Sequence, residues 1–278
     1  MKQAIVIDSS REIPLELYRN EHIFPVGYSI EDSKKEFHYE RESVDNLHTD
    51  EMISVVNGDK KARIFAPDIK EFVELYTFLA EEYDSLISIH SSYFTPAVYE
   101  HALVAKKMVS GITIDLVDSP TIGSAAGLFT SELINFAPKA SNINEIRKKA
   151  IDLNRNINAY TITENDKLVK EVKDRENVPK SSSFPLRNYN LYHYFHTNWE
   201  IISTNRKSRN LFKDVNSRIN LTSKTKEISK VYYSTSSNHV RETKETLRRI
   251  RKVEKTETHQ SLISRYLLGK DFSSIAFL

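Results

Sequence analysis

Leu86-Ile87-Ser88-Ile89-His90-Ser91-Ser92-Tyr93-Phe94-Thr95-Pro96 is a short apolar run that ends in a patch of hydroxyls and then a proline. Residues 86–89 read as a strand buried on both faces. Thr95 is an N-cap residue type, and Pro96 suits the first helical position, where its fixed φ fits and its missing N–H costs nothing. Residues 96–109 then place Val98, Ala102 and Val109 on one helical stripe. The unit is strand, polar turn, helix, and it recurs on both sides. Residues 4–7 form an apolar strand that runs into Asp8-Ser9-Ser10 and a helix near 14–19. A strand is expected at 24–28, a helix at 43–55 and a strand at 63–65. A helix at 68–82 has Ile69, Phe72, Val73, Tyr76 and Leu79 on one face. A strand at 112–117 and a helix at 120–136 close the series. Such βαβα alternation specifies an α/β domain whose parallel sheet is covered by helices on both faces.

The second half is less regular. Ile143, Ile146, Ala150, Leu153 and Ile157 mark a helix, and 159–162 a strand. Residues 175–197 carry two prolines and three consecutive serines without clear periodicity, and read as a long loop with aromatic anchors. Strands are expected at 199–204, 231–234 and 274–277. A helix at 239–253 carries Val240, Thr243, Leu247 and Ile250 on one stripe. The boundary between two domains falls near residue 155, giving 1–155 and 156–278.

Composition narrows the function classes. With 278 residues, 39% hydrophobic and 28% charged, the chain is ordinary for a water-soluble globular protein. No apolar run approaches the roughly 18–20 residues of a membrane span. The opening MKQAIVIDSS is too short for a secretory apolar region and lacks a small-residue cleavage site. With no cysteine, disulfides, thiolate catalysis and cysteine zinc sites are excluded. The expected location is the cytoplasm. Residues 1–139 hold 13 Lys and Arg against 23 Asp and Glu, net −10; residues 140–278 hold 27 against 15, net +12. This asymmetry fits either a nucleic-acid-binding half or two oppositely charged domains attracting each other. Acids interleaved with the bases, as in Arg241-Glu242 and Lys244-Glu245, favour the second; only 248–252 is densely basic.

Six glycines, at 27, 58, 111, 123, 127 and 269, form neither GxGxxG nor a Walker A loop, which argues against dinucleotide or ATP binding on a glycine-built phosphate cradle. There is no HExxH and no GxSxG. His193 and His196 stand three apart, but their neighbours are aromatic and supply no nearby carboxylate, which argues against a metal. Asp8 admits a reading as a strand-end phosphoryl nucleophile, but Ser10 stands where the second aspartate of a DxDxT pattern belongs. The informative positions lie at the C-terminal ends of strands, where open α/β sheets place ligands. Three such junctions are rich in hydroxyls: Asp8-Ser9-Ser10, 90–96, and Asp118-Ser119-Pro120-Thr121. These hydroxyls can cap helices, or they can join free helix N–H groups in a pocket for an anionic head group.

The same junctions carry a family resemblance. Ile7-Asp8-Ser9-Ser10-Arg11-Glu12-Ile13-Pro14 is similar to the TDSTADLP opening of the DegV family of bacterial fatty-acid-binding proteins. Phe24-Pro25-Val26 with Phe37-His38-Tyr39-Glu40 resembles its "VPL…Y.D" region, and Ala66-Pro67 before Glu71-Phe72 its TSQPS region. Residues 87–102 resemble SSGLSGTYQSA, with Tyr99 and Ala102 matching. Val117-Asp118-Ser119 with Gly127-Leu128 resembles "IDS…GLG", and Asn205-Arg206-Lys207-Ser208-Arg209 resembles "VRTRKKA". The resemblance implies an N-terminal α/β/α domain with a parallel sheet and a C-terminal α+β domain. It also implies a long-chain fatty acid held between them, no cofactor, no catalysis by the chain itself, and presentation of the ligand to a separate fatty acid kinase.

Departures fall on the ligand-contacting motifs. Ile64-Phe65 stand where the family has Thr-Ser. Pro96 aligns with the serine of SGTY, leaving Thr95 one position away. The family's H-x-GPG reads Leu267-Leu268-Gly269-Lys270-Asp271, without the histidine, and its GGRIS segment is not recognisable around 173–180. Ser91, Ser92 and Thr95 are therefore the candidate head-group donors. Arg206 is the candidate partner-binding residue, or else the cation of a salt bridge to the acidic first domain. The alternatives to a lipid carrier are an interaction module whose pocket is filled by side chains such as Ile64 and Phe65, and nucleic-acid binding through the basic half.

Overall fold

The structure is a computed structural model that describes residues 2–35, 37–39, 63–164, 188–269 and 271–278. The expected helix at 43–55, and the 173–180 segment, lie outside the described residues. Strand β1 (Gln3–Asp8), helix α1 (Leu15–Tyr18) and β2 (Ile23–Val26) open the chain, followed by β3 (Ser29–Glu31), β4 (Phe37–Tyr39) and β5 (Arg63–Phe65). Then come α2 (Ile69–Ala80), β6 (Ser85–His90), α3 (Pro96–Met108), β7 (Thr113–Asp118), α4 (Ser124–Phe136) and α5 (Ile143–Asn156). The remainder is β8 (Asn158–Thr163), β9 (Tyr189–Phe195), β10 (Asn198–Arg206), α6 (Ser208–Thr225), β11 (Val231–Thr235), α7 (Val240–Arg249), β12 (Lys255–Glu257), α8 (Leu262–Leu268) and β13 (Phe272–Phe277).

Four strands form a parallel sheet in the order β2-β1-β6-β7, with Ile7 beside Ile89 and His90 beside Asp118. Six form a mixed sheet, β10-β9-β8-β13-β11-β12, in which every pairing is antiparallel except β11–β12. A small third sheet, β4-β3-β5, extends from the edge of the first half. The two-part α/β architecture expected from the alternation is present.

Local chemistry sets the helix starts. Asp68 and Glu71 form a reciprocal capping box at α2, at 2.8 and 2.6 Å. Asn142 caps α5, accepting from the Asn144 and Glu145 N–H groups. Thr95 sits at the N-cap of α3 without making a side-chain cap bond; its hydroxyl donates instead to Ser91 O at 3.1 Å. The helix expected from 120 begins at Ser124, because Ser119 and Thr121 bond to each other at 2.6 Å and hold the loop open until Gly123, at φ 64°.

Helix α4 joins the two sheets. Every residue from Ser124 to Ile134 is buried, and the helix packs on β11 and β13 of the second sheet as well as on α5. One apolar cluster consequently runs through both halves, from Ile5, Ile7 and Ile89 through Leu128 and Phe129 to Tyr192, Trp199 and Phe272. Gly127 packs against both halves: a Cβ there would lie 2.4 Å from Glu12 O in the first and 2.7 Å from the Thr258 methyl in the second. Trp199 Nε1 donates to Pro120 O at 2.8 Å, and Ser261 N donates to Glu12 Oε1 at 3.0 Å, across the same divide.

Three expectations change. Residues 189–195 are not loop but β9, whose tyrosines 189, 192 and 194 are buried. Helices α6 and α8 and strand β12 were not foreseen. His193 does have a carboxylate beside it: β10 pairs Glu200 opposite, and His193 Nδ1 bonds Glu200 Oε1 at 2.7 Å, while Tyr160 stacks on the ring. Among the described residues, no group of three or more His, Asp or Glu could hold a metal ion. No described helix is long and apolar enough to cross a membrane.

Candidate functional site

The parallel sheet brings three strand ends together. Asp8 closes β1, His90 closes the neighbouring β6, and Tyr28 lies two residues beyond β2 on the other side. All three side chains are buried, Asp8 and His90 completely. Asp8 Oδ1 accepts from Ser10 N at 3.0 Å, from Ser10 Oγ, and from the Tyr28 hydroxyl at 3.1 Å. Asp8 Oδ2 lies 2.8 Å from His90 Nδ1 and 3.8 Å from Arg11 Nε. Arg11 is itself fully buried and donates to Ser10 Oγ, Ser119 O and Thr121 O.

The charge states follow from these contacts. Burial alone would raise the Asp8 pKa, but the Arg11 guanidinium and the bonds from His90 and Ser10 outweigh it and hold the carboxyl far below the usual carboxylate range. Burial lowers the His90 pKa against the opposing pull of Asp8, so the imidazole is neutral at pH 7. A neutral ring facing a carboxylate through Nδ1 must carry its proton there, leaving Nε2 as acceptor. Ser88 Oγ, 2.7 Å from Nε2, is then the donor, and Tyr76 in turn donates to Ser88 at 2.7 Å. The result resembles a Ser–His–Asp chain in geometry, but all three members are 0% exposed. Nor does the phosphoryl-nucleophile reading of Asp8 fit, since both of its oxygens are engaged.

Directly above this network, a groove of about 240 Å³ separates α3 from α8. Its apolar walls are Ile64, Ala66, Phe94, Pro96, Ala97, Val98, Ile263 and Leu267, and the hydroxyl-bearing residues among its lining are Tyr28, Thr95 and the half-exposed Tyr266. The groove exists because α8 packs on the Ser9–Arg11 turn, with Ser261 capping α8 by accepting from Ser264 N at 3.0 Å.

Of the three residues expected to hold a head group, Thr95 lines this groove. Ser91 is fully buried behind it, its Oγ accepting from Phe94 N at 3.0 Å and its carbonyl accepting from Thr95. Ser92 is exposed and turned to the next strand end, its N and Oγ donating to the two oxygens of Asp118 at 2.9 and 2.6 Å. Ile64 lines the groove, whereas Phe65 is 39% exposed outside it. Arg206 stands at the end of β10 and pairs with Asp214 of α6 at 2.7 Å, within the second half and not across to the acidic first one. Sequence reasoning passed over Tyr28, Arg11 and His90. The available signal was that Asp8 and His90 both end apolar strands of a parallel sheet; nothing in the sequence put those strands side by side.

A family model described as "Uncharacterised protein, DegV family" matches residues 2–268. This chain belongs to the DegV family. Among curated DegV relatives, a DegV domain-containing protein of Staphylococcus aureus is 28% identical over 163 residues, covering 58% of this chain and 56% of that one. The DegV protein of Bacillus subtilis is 27% identical over the same span. The chain thus spans about half the length of the curated relatives it matches. Solved DegV structures align over the whole chain. A DegV lipid-binding protein of Thermotoga maritima superposes with a TM-score of 0.79 at 19% identity, covering 100% of this chain and 98% of that one. The fatty-acid-binding DegV of Bacillus subtilis superposes at 0.77 and 18%, covering 100% and 99%. A stearic-acid-binding protein of Eubacterium ventriosum superposes at 0.80 and 13%, covering 99% and 97%. At these identities the likeness is one of fold.

Proposed function

We propose that this DegV protein is a non-catalytic carrier that holds the single hydrocarbon chain of a fatty acid or similar amphiphile in the groove between α3 and α8. The observation that carries this reading is the groove itself: eight apolar residues contributed by both halves, with Tyr28 and Thr95 also in its lining. Solved proteins of the same fold described as fatty-acid-binding support it. Each methylene buried contributes roughly 0.8 kcal/mol, so chain length sets the affinity and the head group needs only a few placed partners. Thr95, backed by Ser91, is the head-group residue on this reading, while Ser92 secures the strand end through Asp118. The groove, at about 240 Å³, lies just under the roughly 300–1,000 Å³ of typical ligand pockets. The proposed partner is a fatty acid kinase docking on the face that carries Arg206.

Native mass spectrometry of the purified protein, with organic extraction of any bound lipid, tests the reading. One stoichiometric single-chain amphiphile, lost in Ala97→Trp, is the expected result, because Ala97 lines the groove from the exposed side and an indole there closes it. Protein that is empty and takes up no added single-chain lipid would refute it.

A further inference from the structure

Helix α8 lines two cavities. Its Ile263, Tyr266 and Leu267 line the groove, while Arg265, on the opposite side of the helix, lines a second cavity of about 430 Å³. That space lies where the two halves meet. Leu15 and Glu16 of α1 bound it from the first half; Thr235 and Glu257, the last residues of the parallel pair β11 and β12, bound it from the second. Junctions between domains are where small-molecule sites tend to form, and the volume falls within the range of roughly 300–1,000 Å³ that such sites occupy.

The lining is polar, and part of it has no partner. His259 is 9% exposed, and neither of its ring nitrogens has a hydrogen-bond partner among the described residues. Burial, helped by the Arg265 charge, pushes its pKa down to about 4, so the ring is neutral at pH 7 and offers one N–H donor and one acceptor. Arg265 Nε donates to Gln260 Oε1 at 3.3 Å, and the Gln260 amide nitrogen is left without an acceptor. Buried donors without partners are rare in native proteins, and here they gather at one cavity. Charge is divided across the same space. Glu16 and Glu257 bring two exposed carboxylates from opposite halves. Glu257 accepts from the Tyr233 hydroxyl at 3.1 Å, and Glu16 bonds to no described residue. Arg265 brings the guanidinium. A simple anion meets the two carboxylates and a simple cation meets the guanidinium, whereas a ligand of both signs is attracted by each.

We propose that this cavity, on the far side of α8 from the groove, is a second binding site, and that it takes a small zwitterion of the α-amino-acid class. The carboxylate of such a ligand is drawn to Arg265 and to the unpaired donors of Gln260 and His259, and its ammonium group to Glu16 and Glu257. The site is separate from the groove and stands whether or not the groove holds a lipid.

L-norvaline, pentanoate and butan-1-amine share one carbon chain and carry, in turn, both charges, the negative one alone and the positive one alone. Each is titrated into the full chain at pH 7 and followed by NMR of the Gln260 side-chain amide and the His259 ring. Methyl signals of Ile263 and Leu267 report the groove separately. Norvaline is expected to shift the Gln260 and His259 signals saturably and to bind about tenfold more tightly than either fragment, since it keeps the attractions of both. Arg265→Met should bring norvaline down towards butan-1-amine. Glu16→Gln, at an exposed residue bonded to nothing described, should bring it down towards pentanoate without disturbing the fold. Norvaline binding no better than its fragments, an affinity unmoved by Glu16→Gln, shifts confined to the groove methyls, or no shift at millimolar concentrations would each overturn the site.

Discussion

Replacing Arg11 by methionine keeps much of the aliphatic stem and removes the guanidinium that faces Asp8 in a fully buried pair. Two unit charges 3.8 Å apart, at an effective dielectric constant of about 20, attract by roughly 4 kcal/mol. Removing one partner of a buried pair costs about 3–5 kcal/mol, because the other charge stays behind. Ser119 O and Thr121 O also lose a donor. Asp8 keeps Ser10, Tyr28 and His90, so the protein is expected to fold with about 3–5 kcal/mol less stability at pH 8. The loss should shrink at lower pH, and the sign follows from His90. In the parent protein its pKa is lowered, so the unfolded chain binds the extra proton below about pH 6.5 and stability declines on acidification. Arg11 is one cause of that lowering. Without it the His90 pKa rises, a proton on His90 supplies the missing cation, and the variant recovers ground relative to the parent as pH falls. Urea unfolding at pH 8 and pH 5.5, with NMR titration of the His90 ring, measures both parts. Asp8→Asn combined with Arg11→Met, which removes both charges, should be more stable than Arg11→Met alone. A loss under about 1 kcal/mol at pH 8, or the same loss at both pH values, would refute the account of the network.

Burial pushes the Glu12 pKa up to about 7, so folding stability is complete below its ordinary value near 4.5 and falls as pH rises to 7, by about 3 kcal/mol at 1.36 kcal/mol per unit. Glu12→Gln should therefore stabilise increasingly between pH 5 and pH 7.5 in denaturant titrations, and a flat difference would count against a protonated Glu12. Gly127→Ala drives a methyl to 2.4 Å from the Glu12 carbonyl, an overpacking cost of about 1–3 kcal/mol that should exceed the roughly 1 kcal/mol helix benefit of alanine. A melting temperature that stays level or rises would show that the Glu12 backbone and Thr258 give way there at little cost. Trp199→Phe deletes the 2.8 Å bond to Pro120 O and should cost about 1–2 kcal/mol, read by thermal unfolding; no change would mean that water replaces the indole donor.

Periodicity located β1, β2, β6 and β7 and helices α2 to α4 of the first half because each is driven by a local rule, whereas the short strands β3 and β4 carry no period of their own. The run at 86–89 could only be a buried strand, Pro96 could only begin a helix, and the stripe on α2 is helical on sight. The second half was harder where local and tertiary signals diverge. Tyr189–Phe195 lacks alternation because β9 is covered on both faces, and a seven-residue run of mixed aromatic, polar and apolar residues without a period reads as loop. Helix α6 carries Leu211, Phe212, Val215 and Ile219 at helical spacing, a stripe the sequence did contain.

Of the candidate site, the sequence by itself marked the right strand ends. Hydroxyls at 91, 92 and 95 and the acid at 8 lie where an open α/β sheet presents its residues, and the family motifs agreed in order. Which of them face a ligand was decided by tertiary structure alone. Ser92 turns to Asp118 because β7 is its neighbour, and Thr95 meets Tyr28 because β2 pairs with the far edge of β1. Sequence spacing fixes which face of an element a residue occupies. The state of a buried carboxylate depends on which groups stand beside it, and here His90 meets Asp8 only because β1 and β6, whose two residues are 82 apart in the chain, lie side by side.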